Sequence, residues 1–369
     1  MTNGWARHRV GEFELDTSWD APAGSVTVLF GRSGAGKSMT LRTIAGLVRP
    51  DEGRVEVGGR VVYDSERGEW VPPHRRRVGY LPQDYGLFPH LSIIGNVEYG
   101  IPRRGPDREA RLSRVREIVE TLGLQGLEDR RPNSLSGGQR QRTALARALA
   151  SAPDVLLLDE PFAALDEDLR RTVRREIRLV LRSSTVPVLL VTHDAEEALA
   201  LADRVHIIDD GHVIASGDPF DLIVQPAQER IARLSGVENL FRLHVVSIQP
   251  VEGTMVCTDQ TATVQLSVPA ATDARPGDEV TVGIRAVDVI LARDEPAGLS
   301  ARNLLEGSVH SVEPRAPGFD VSLDCGGIRI VAHVTRVAVD ALSLRPGATA
   351  WAVLKASSCY VLEADPNGN

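Results

Sequence analysis

Eight residues, Gly31-Arg32-Ser33-Gly34-Ala35-Gly36-Lys37-Ser38, have the spacing GxxxxGK[ST] and directly follow the apolar run Val26 to Phe30. The glycines let the backbone curl so that several N–H groups converge on one point. A helix beginning near Met39 adds its positive N-terminal end. That chemistry is phosphate binding. Gly31, Arg32, Ser33, Gly34, Ala35, Gly36, Lys37, Ser38 and Met39 are expected to cradle the phosphates of ATP. Lys37 would reach the β and γ phosphates, and Ser38 would offer its hydroxyl to Mg²⁺.

Two further groups carry chemistry. Leu156-Leu157-Leu158-Asp159-Glu160 reads as a buried strand that delivers two adjacent carboxylates at its end. Asp159 is placed to organise Mg²⁺, and Glu160 to orient and polarise the water that attacks the γ-phosphate. Between this strand and the first loop lies Leu135-Ser136-Gly137-Gly138-Gln139-Arg140-Gln141-Arg142, opening onto an Ala-rich helical stretch. A Ser and two glycines before a helix make a second phosphate-binding N-terminus, and one ATPase site does not need two.

With these motifs together the chain resembles the ATP-binding-cassette ATPases, whose signature LSGGQ stands unaltered at Leu135 to Gln139. The resemblance covers about residues 8 to 222. It implies a head-to-tail homodimer in which Ser136, Gly137, Gly138 and Gln139 of one subunit close over the γ-phosphate held by Lys37 of the other. The remaining family motifs follow in order. Gln83, in Gly79-Tyr80-Leu81-Pro82-Gln83, matches the glutamine that contacts the metal and the attacking water. Ala164-Leu165-Asp166 matches the D-loop, and His193, in Val191-Thr192-His193-Asp194, matches the switch histidine at the γ-phosphate. Glu160, His193 and Gln83 are thus the expected catalytic set, and Ser38, Gln83 and Asp159 the expected Mg²⁺ set. The family's adenine-stacking aromatic falls near His8. His8 and Phe13 are both candidates, but Phe13 also reads as a core residue of the first strand, which leaves adenine stacking unassigned.

The elements that must position these residues are legible as well. Val26 to Phe30, Val155 to Leu158, Val188 to Val191 and Val205 to Ile208 are short apolar runs. They alternate with helical stretches at Arg108 to Leu122, Gln139 to Ala150 and Asp168 to Arg182. This predicts a P-loop α/β domain with a largely parallel sheet, and the resemblance adds a helical subdomain. From about Gly236 the pattern changes to short alternating segments, such as Phe319, Val321, Leu323 and then Ile328, Ile330, Ala332, separated by Gly and Pro turns. The expected organisation is a nucleotide-binding domain at 1–235, a β-rich connecting segment at 236–297 and a small all-β, OB-like domain at 298–364. Pro276-Gly277-Asp278 and Pro346-Gly347-Ala348 each precede an alternating strand, a hint of two related β-modules.

Composition narrows the partners. The 369 residues carry a net charge of −8, which argues against a nucleic-acid partner, and the basic cluster His74-Arg75-Arg76-Arg77 reads as solvated surface. No apolar run approaches the ~20 residues that cross a bilayer, and no signal peptide is evident, so the chain is expected on the cytoplasmic side. Cys257, Cys325 and Cys359 are far apart with no CxxC pair and read as small buried apolar residues rather than a zinc or disulfide framework. Of the 42 basic residues only Lys37 and Lys355 are lysines.

The C-terminal region bears on the cargo. Arg77-Val78-Gly79-Tyr80, Gln83-Asp84, Leu87-Phe88-Pro89-His90 and Gly95 to Gly100 resemble the Q-loop segment of the family's molybdate importers. Leu299-Ser300-Ala301-Arg302-Asn303-Leu304-Leu305-Glu306-Gly307 and Ala350-Trp351-Ala352-Val353-Leu354-Lys355-Ala356-Ser357 look like the opening and closing strands of their small Mop/TOBE-type module. A tetrahedral oxoanion needs converging donors, and Ser300, Arg302, Lys355 and Ser357 offer them, although Lys355 fits a solvated strand position equally well. The resemblance implies an ATP- and Mg²⁺-dependent subunit that serves a membrane permease. Molybdate or tungstate would be delivered by an external solute-binding protein, with Phe88 to Tyr99 as the candidate permease contact. Sulfate import and a soluble, non-transport cassette ATPase are the alternatives.

Overall fold

The structure is a computed structural model that describes residues 1–101, 108–182, 185–271 and 273–362. The side chains of residues 108, 111, 167, 168 and 182 are also outside the description. The chain divides into two compact units, Met1–Leu222 and Ile223–Asn369.

The first unit runs β1 (Thr2–Val10), β2 (Phe13–Ala21), β3 (Val26–Phe30), α1 (Lys37–Ala45), β4 (Glu52–Val57), β5 (Arg60–Asp64), β6 (Glu69–Trp70) and β7 (Val78–Leu81). It continues with α2 (Ile93–Tyr99), α3 (Arg108–Thr121), α4 (Gly137–Ala150), β8 (Val155–Asp159), α5 (Glu167–Arg182), β9 (Val188–Thr192), α6 (Ala195–Leu201), β10 (Arg204–Asp209) and β11 (His212–Gly217). All eleven strands form one sheet in the order β6-β5-β4-β1-β2-β11-β10-β3-β9-β8-β7. The half from β10 to β7 is parallel, whereas β6 through β2 pair antiparallel, so the sheet as a whole is mixed rather than largely parallel. Its three central strands, β3, β9 and β8, are buried at every position, as continuous Val/Leu runs require when helices cover both faces. Each such side chain stabilises the fold by about 1.5–3 kcal/mol. The expected strands and helices are all present, with ends moved by one or two residues.

Helix α5 shows how the sheet is covered: Val173, Ile177 and Leu181 recur every four residues and are buried. At the end of α1, the basic cluster departs from expectation. Arg76 is only 2% exposed, its guanidinium lies 4.5 Å over the Trp70 ring, and its Nη1 donates to the carbonyls of Thr43 and Ile44, both at 2.9 Å. It satisfies the orphan carbonyls that close the phosphate-loop helix, so packing against Trp70 and helix capping override the surface reading. Burial lowers its pKa to about 10.

The second unit contains α7 (Glu229–Leu234), β12 (Asn239–Gln249), β13 (Thr254–Thr258), β14 (Gln265–Pro269), β15 (Glu279–Ile284), β16 (Ile290–Ala292), β17 (Asn303–Arg315), β18 (Gly318–Cys325), β19 (Ile328–Val334), α8 (Arg336–Leu342), β20 (Thr349–Leu354) and β21 (Tyr360–Leu362). Two five-stranded sheets result, β14-β13-β12-β15-β21 and β16-β20-β17-β18-β19. The compact units meet at Leu222/Ile223, and the positions 235 and 297 both fall inside the second. Ala232 of α7 is buried with Val237 and Leu362, which draws the start of the unit back to Ile223. The division at 297 separates no compact units, because the two segments exchange strands: β16 pairs with β20 and β21 pairs with β15.

The two segments are repeats. Val245 and Gly277-Asp278 share a two-bond link (Gly277 N to Val245 O 2.8 Å, Val245 N to Asp278 O 2.9 Å), and Val309 makes the same link to Gly347-Ala348 at 2.8 Å in both directions. Bulges follow at Val245/Ser247 and Val309/Ser311. Buried Asn239 donates to Val331 O at 2.9 Å and accepts from Val331 N at 2.7 Å; buried Asn303 donates to Ser267 O at 2.9 Å and accepts from Ser267 N at 2.6 Å. Each module therefore clamps a strand of the other with one asparagine. All three cysteines are buried in the common core, and burial pushes their thiols up to about 11 or 12.

Candidate active site

Four chemistry-bearing segments leave the sheet at the C-terminal ends of neighbouring parallel strands: the glycine-rich loop after β3, His193 after β9, Glu160 after β8 and Gln83 after β7. Ligands bind at that edge of a parallel sheet because loops and helix N-termini converge there.

The loop is built by sterics. A side chain at Gly31 would collide with the carbonyl oxygen of Ile208, and Gly36 has φ +98 with Leu15 and Phe13 packed where a Cβ would point. Gly36 is followed at once by α1, which starts at Lys37. Lys37 is 4% exposed, and its Nζ donates to the carbonyls of Gly31 (2.8 Å) and Arg32 (2.7 Å). Burial lowers its pKa, and the charges of Glu160 and Asp159 oppose that shift. The ammonium is thus held inside the loop, within reach of anything the loop cradles.

Ser38 Oγ donates to Asp159 Oδ1 at 2.6 Å, while Tyr80 Oη donates to Asp159 Oδ2 at 3.1 Å. A serine hydroxyl beside a buried carboxylate is a hard-oxygen donor pair that suits Mg²⁺, a cation that takes few protein ligands and keeps several waters. Tyr80 was not among the expected site residues. Its register opposite Leu157, which brings it toward Asp159, is invisible in a single sequence. Burial and then the Asp159 charge push its hydroxyl up to about 12.

Glu160 turns the chain out of β8 with φ 44, a left-handed conformation that costs a non-glycine residue about 1–3 kcal/mol. Its N–H donates to Val191 O at 3.0 Å, and its Oε1 lies 3.1 Å from His193 Nδ1. Strained backbone at this position holds the carboxylate over the cleft. That cleft, of about 610 Å³, is lined by Val10, Phe13, Ser33, Gly34, Gly36, Lys37, Ser38, Met39, Arg42, Gln83 and Glu160. Arg42 and Gln83 also line a neighbouring depression with Tyr80, Pro82, Asp84, Ala163 and Ala164, so the phosphate loop and the Ala164-Leu165-Asp166 turn border one region.

Phe13 is not a core residue of the first strand. It opens β2, is half-buried and forms a wall of the cleft, while His8 Nδ1 is 3.1 Å from Asp51 Oδ2, at hydrogen-bond distance. Phe13 keeps the alternation of Leu15, Thr17 and Trp19, which are buried; as the first residue of β2 it reaches the phosphate loop beside Gly36 and is only half-covered there.

Ser136 caps α4 in a capping box: its Oγ accepts from Gln139 N at 3.3 Å and Gln139 Oε1 accepts from Ser136 N at 3.0 Å. Side chains at Gly137 and Gly138 would meet Leu165 and Val173 at 2.9 and 3.0 Å. The signature glycines therefore pack α4 against the Asp166 turn and α5. Asp166 Oδ1 accepts from Leu169 N at 3.0 Å.

Following Gln83 in the chain, Phe88 and Tyr99 pack with centroids 4.4 Å apart and planes tilted by 55°, Arg147 lies 5.3 Å over Phe88, and Arg147 Nη2 donates to Tyr85 O at 2.9 Å. Tyr99 remains 63% exposed.

In the second unit the oxoanion candidates Ser300, Arg302, Lys355 and Ser357 are all exposed. The register Asn303↔Leu354 sets Arg302 and Lys355 just beyond the same ends of β17 and β20. Arg302 pairs with Glu252 at 3.9 Å across solvent-exposed surface.

Residues 15–163 match the family described as ABC transporter, and residues 299–361 that described as TOBE domain. The chain is 38% identical over 357 residues to the molybdenum import ATP-binding protein ModC of Rhizobium etli, covering 95% of this chain and 97% of that one. It is 35% identical over 352 residues to the molybdate/tungstate import ATP-binding protein WtpC of Pyrococcus abyssi, covering 95% and 96%. A solved dimeric ATP-binding cassette in a post-hydrolysis state with ADP and Pi superimposes with a TM-score of 0.50 at 28% identity, over 59% of this chain and 99% of that one. With the ATPase groups in order on one sheet edge and similarity running through both compact units, the chain belongs to the molybdenum import ATP-binding proteins of the ABC transporter class.

Proposed function

We propose that this ATPase energises the import of molybdate, with tungstate as an alternative cargo, as a homodimer bound to a membrane permease. The observation that carries the cargo is the alignment through both units with proteins whose names specify molybdenum or molybdate/tungstate import. Permease subunits would receive oxoanion from an external binding protein, with the ATPase at the inner face of the membrane. No described helix is long and apolar enough to cross a bilayer.

In the hydrolytic step, Lys37 leaves the carbonyls of its own loop for the β and γ phosphates. Glu160 accepts a proton from the attacking water as it polarises it, and His193, already 3.1 Å from Glu160, contacts the γ-phosphate. Gln83 faces the same cleft from β7. Mg²⁺, held by Ser38 and Asp159 with Gln83 nearby, would neutralise charge on the phosphate oxygens. Phe13 and Val10 offer an apolar wall for the adenine. Ser136 to Gln139 and Asp166 act on the partner subunit's nucleotide, and the Phe88–Tyr99 pair meets the permease.

The second unit holds an oxoanion at Arg302, Lys355, Ser300 and Ser357. The repeat supports this assignment. Glu238 precedes Asn239 as Arg302 precedes Asn303, and the Glu238 carboxylate accepts from Ala286 N at 2.9 Å, so the first module carries its own anion where the second presents cations. Reconstituting the subunit with its permease and solute-binding protein in vesicles tests the function. ATP-dependent molybdate uptake is expected; sulfate uptake without molybdate uptake, or ATPase activity indifferent to the permease, overturns the reading.

A further inference from the structure

The segment that carries His193 is held by an arginine remote from the cleft. Arg170, on the first turn of α5, donates through Nη2 to Leu165 O at 3.2 Å, in the Ala164-Leu165-Asp166 turn. Its Nη1 lies 3.7 Å from Asp194 Oδ2 and its Nε 4.0 Å from Glu197 Oε1. Glu197 is 4% exposed, and its second oxygen accepts from Thr192 Oγ1 at 2.5 Å. Thr192 Oγ1 in turn accepts from Asp194 N at 3.0 Å, and Asp194 Oδ1 caps α6 through the N–H groups of Glu196 and Glu197. The residues immediately before and after His193 are therefore both fixed, and the two carboxylates involved both lie within ion-pair distance of one guanidinium.

The chemistry of the hub is specific. The guanidinium donates to the Leu165 carbonyl through one edge while its charge stands 3.7 and 4.0 Å from two carboxylates, a spread that a compact ammonium reproduces less well. Glu197 is buried beside Asp194, and removing Arg170 would leave only the charge of Arg174 to offset the two carboxylates. Burial is the largest influence on the Glu197 carboxyl and raises its pKa; the Thr192 hydrogen bond and the charges of Arg170 and Arg174 lower it, while Asp194 raises it.

We infer that Arg170 is a positioning residue that ties His193 to the Ala164-Leu165-Asp166 turn, so that the placement of the imidazole against Glu160 follows the position of that turn. The inference rests on the roles proposed above for His193 and Glu160. A turn displaced by whatever docks on it would move the Leu165 carbonyl, and the guanidinium would transmit that displacement to Asp194 and Glu197.

The test is a double-mutant cycle on the full-length protein, measuring kcat and KM for ATP and the melting temperature of Arg170→Gln and Arg170→Lys, each in the native and the His193→Ala background. A positioning role predicts that Arg170→Gln lowers kcat roughly 3- to 30-fold with KM within about twofold, that Arg170→Lys is intermediate, and that neither lowers kcat further once His193 is alanine. Equal fold-losses in both backgrounds, or losses that track melting temperature, overturn the inference and leave the roles of His193 and Glu160 intact. An unchanged kcat for His193→Ala overturns the role of His193 and the inference with it. If Arg170→Gln does not fold, Arg170→Lys alone decides by the same comparison.

Discussion

His193 Nδ1 and Glu160 Oε1 lie 3.1 Å apart across the C-terminal ends of two adjacent buried strands, although the residues are 33 positions apart in the chain. The pair brings a proton acceptor and a ring nitrogen to one point above the phosphate loop. Glu160→Gln keeps the shape and removes the base, so kcat for ATP hydrolysis should fall about 10²–10⁴-fold while nucleotide binding persists. A normal rate in a steady-state phosphate-release assay would remove Glu160 from the mechanism.

Lys37→Ala deletes the ammonium that the loop encloses. Loss of a charge-assisted hydrogen bond costs about 1.5–3 kcal/mol, so ATP affinity measured by calorimetry should weaken roughly 10- to 100-fold. Unchanged affinity would mean that Lys37 only closes its own loop.

Gly138→Ala places a methyl 3.0 Å from Val173 and 3.3 Å from Leu169, inside the α4–α5 contact. Overpacking of this kind costs about 1–3 kcal/mol, a drop in melting temperature of about 2–4 °C per kcal/mol for a unit of this size. The glycine is thus needed for packing whatever it contributes at a dimer interface.

Asn239→Ala and Asn303→Ala each leave a strand N–H and C=O unpaired in the interior of the second unit. Each should destabilise that unit by about 1–3 kcal/mol. Because each clamp joins one module to the other, both substitutions should lower the midpoint of the same denaturation transition; two separate transitions would show that the modules fold independently.

Glu197 has a folded-state pKa above the ordinary carboxylate value because it is buried. Between the unfolded and folded values the folded protein binds more protons, so this group's contribution to stability falls as pH rises through that window and is unfavourable above it. Glu197→Gln should flatten that part of the stability–pH curve in urea titrations from pH 4.5 upward, with the Thr192 hydrogen bond retained. An unchanged slope would assign it to other groups.

Much was legible in the linear chain. GxxxxGK[ST], LSGGQ and the paired acids after an apolar strand each need a local backbone shape that few residue types permit. The all-buried strands β3, β8 and β9 announced themselves as continuous apolar runs because both sheet faces are covered. What the chain could not display was proximity at long sequence separation. Tyr80 meets Asp159 through strand register. Arg76 goes inside because Trp70 and the end of α1 await it. Phe13 lines the cleft because it opens β2 beside Gly36 of the phosphate loop. The two β-modules on either side of 297 pack as one unit for the same reason. The strand exchange through β16 and β21 and the reciprocal asparagine clamps join residues 36 to 92 positions apart, and only the closed sheet decides them.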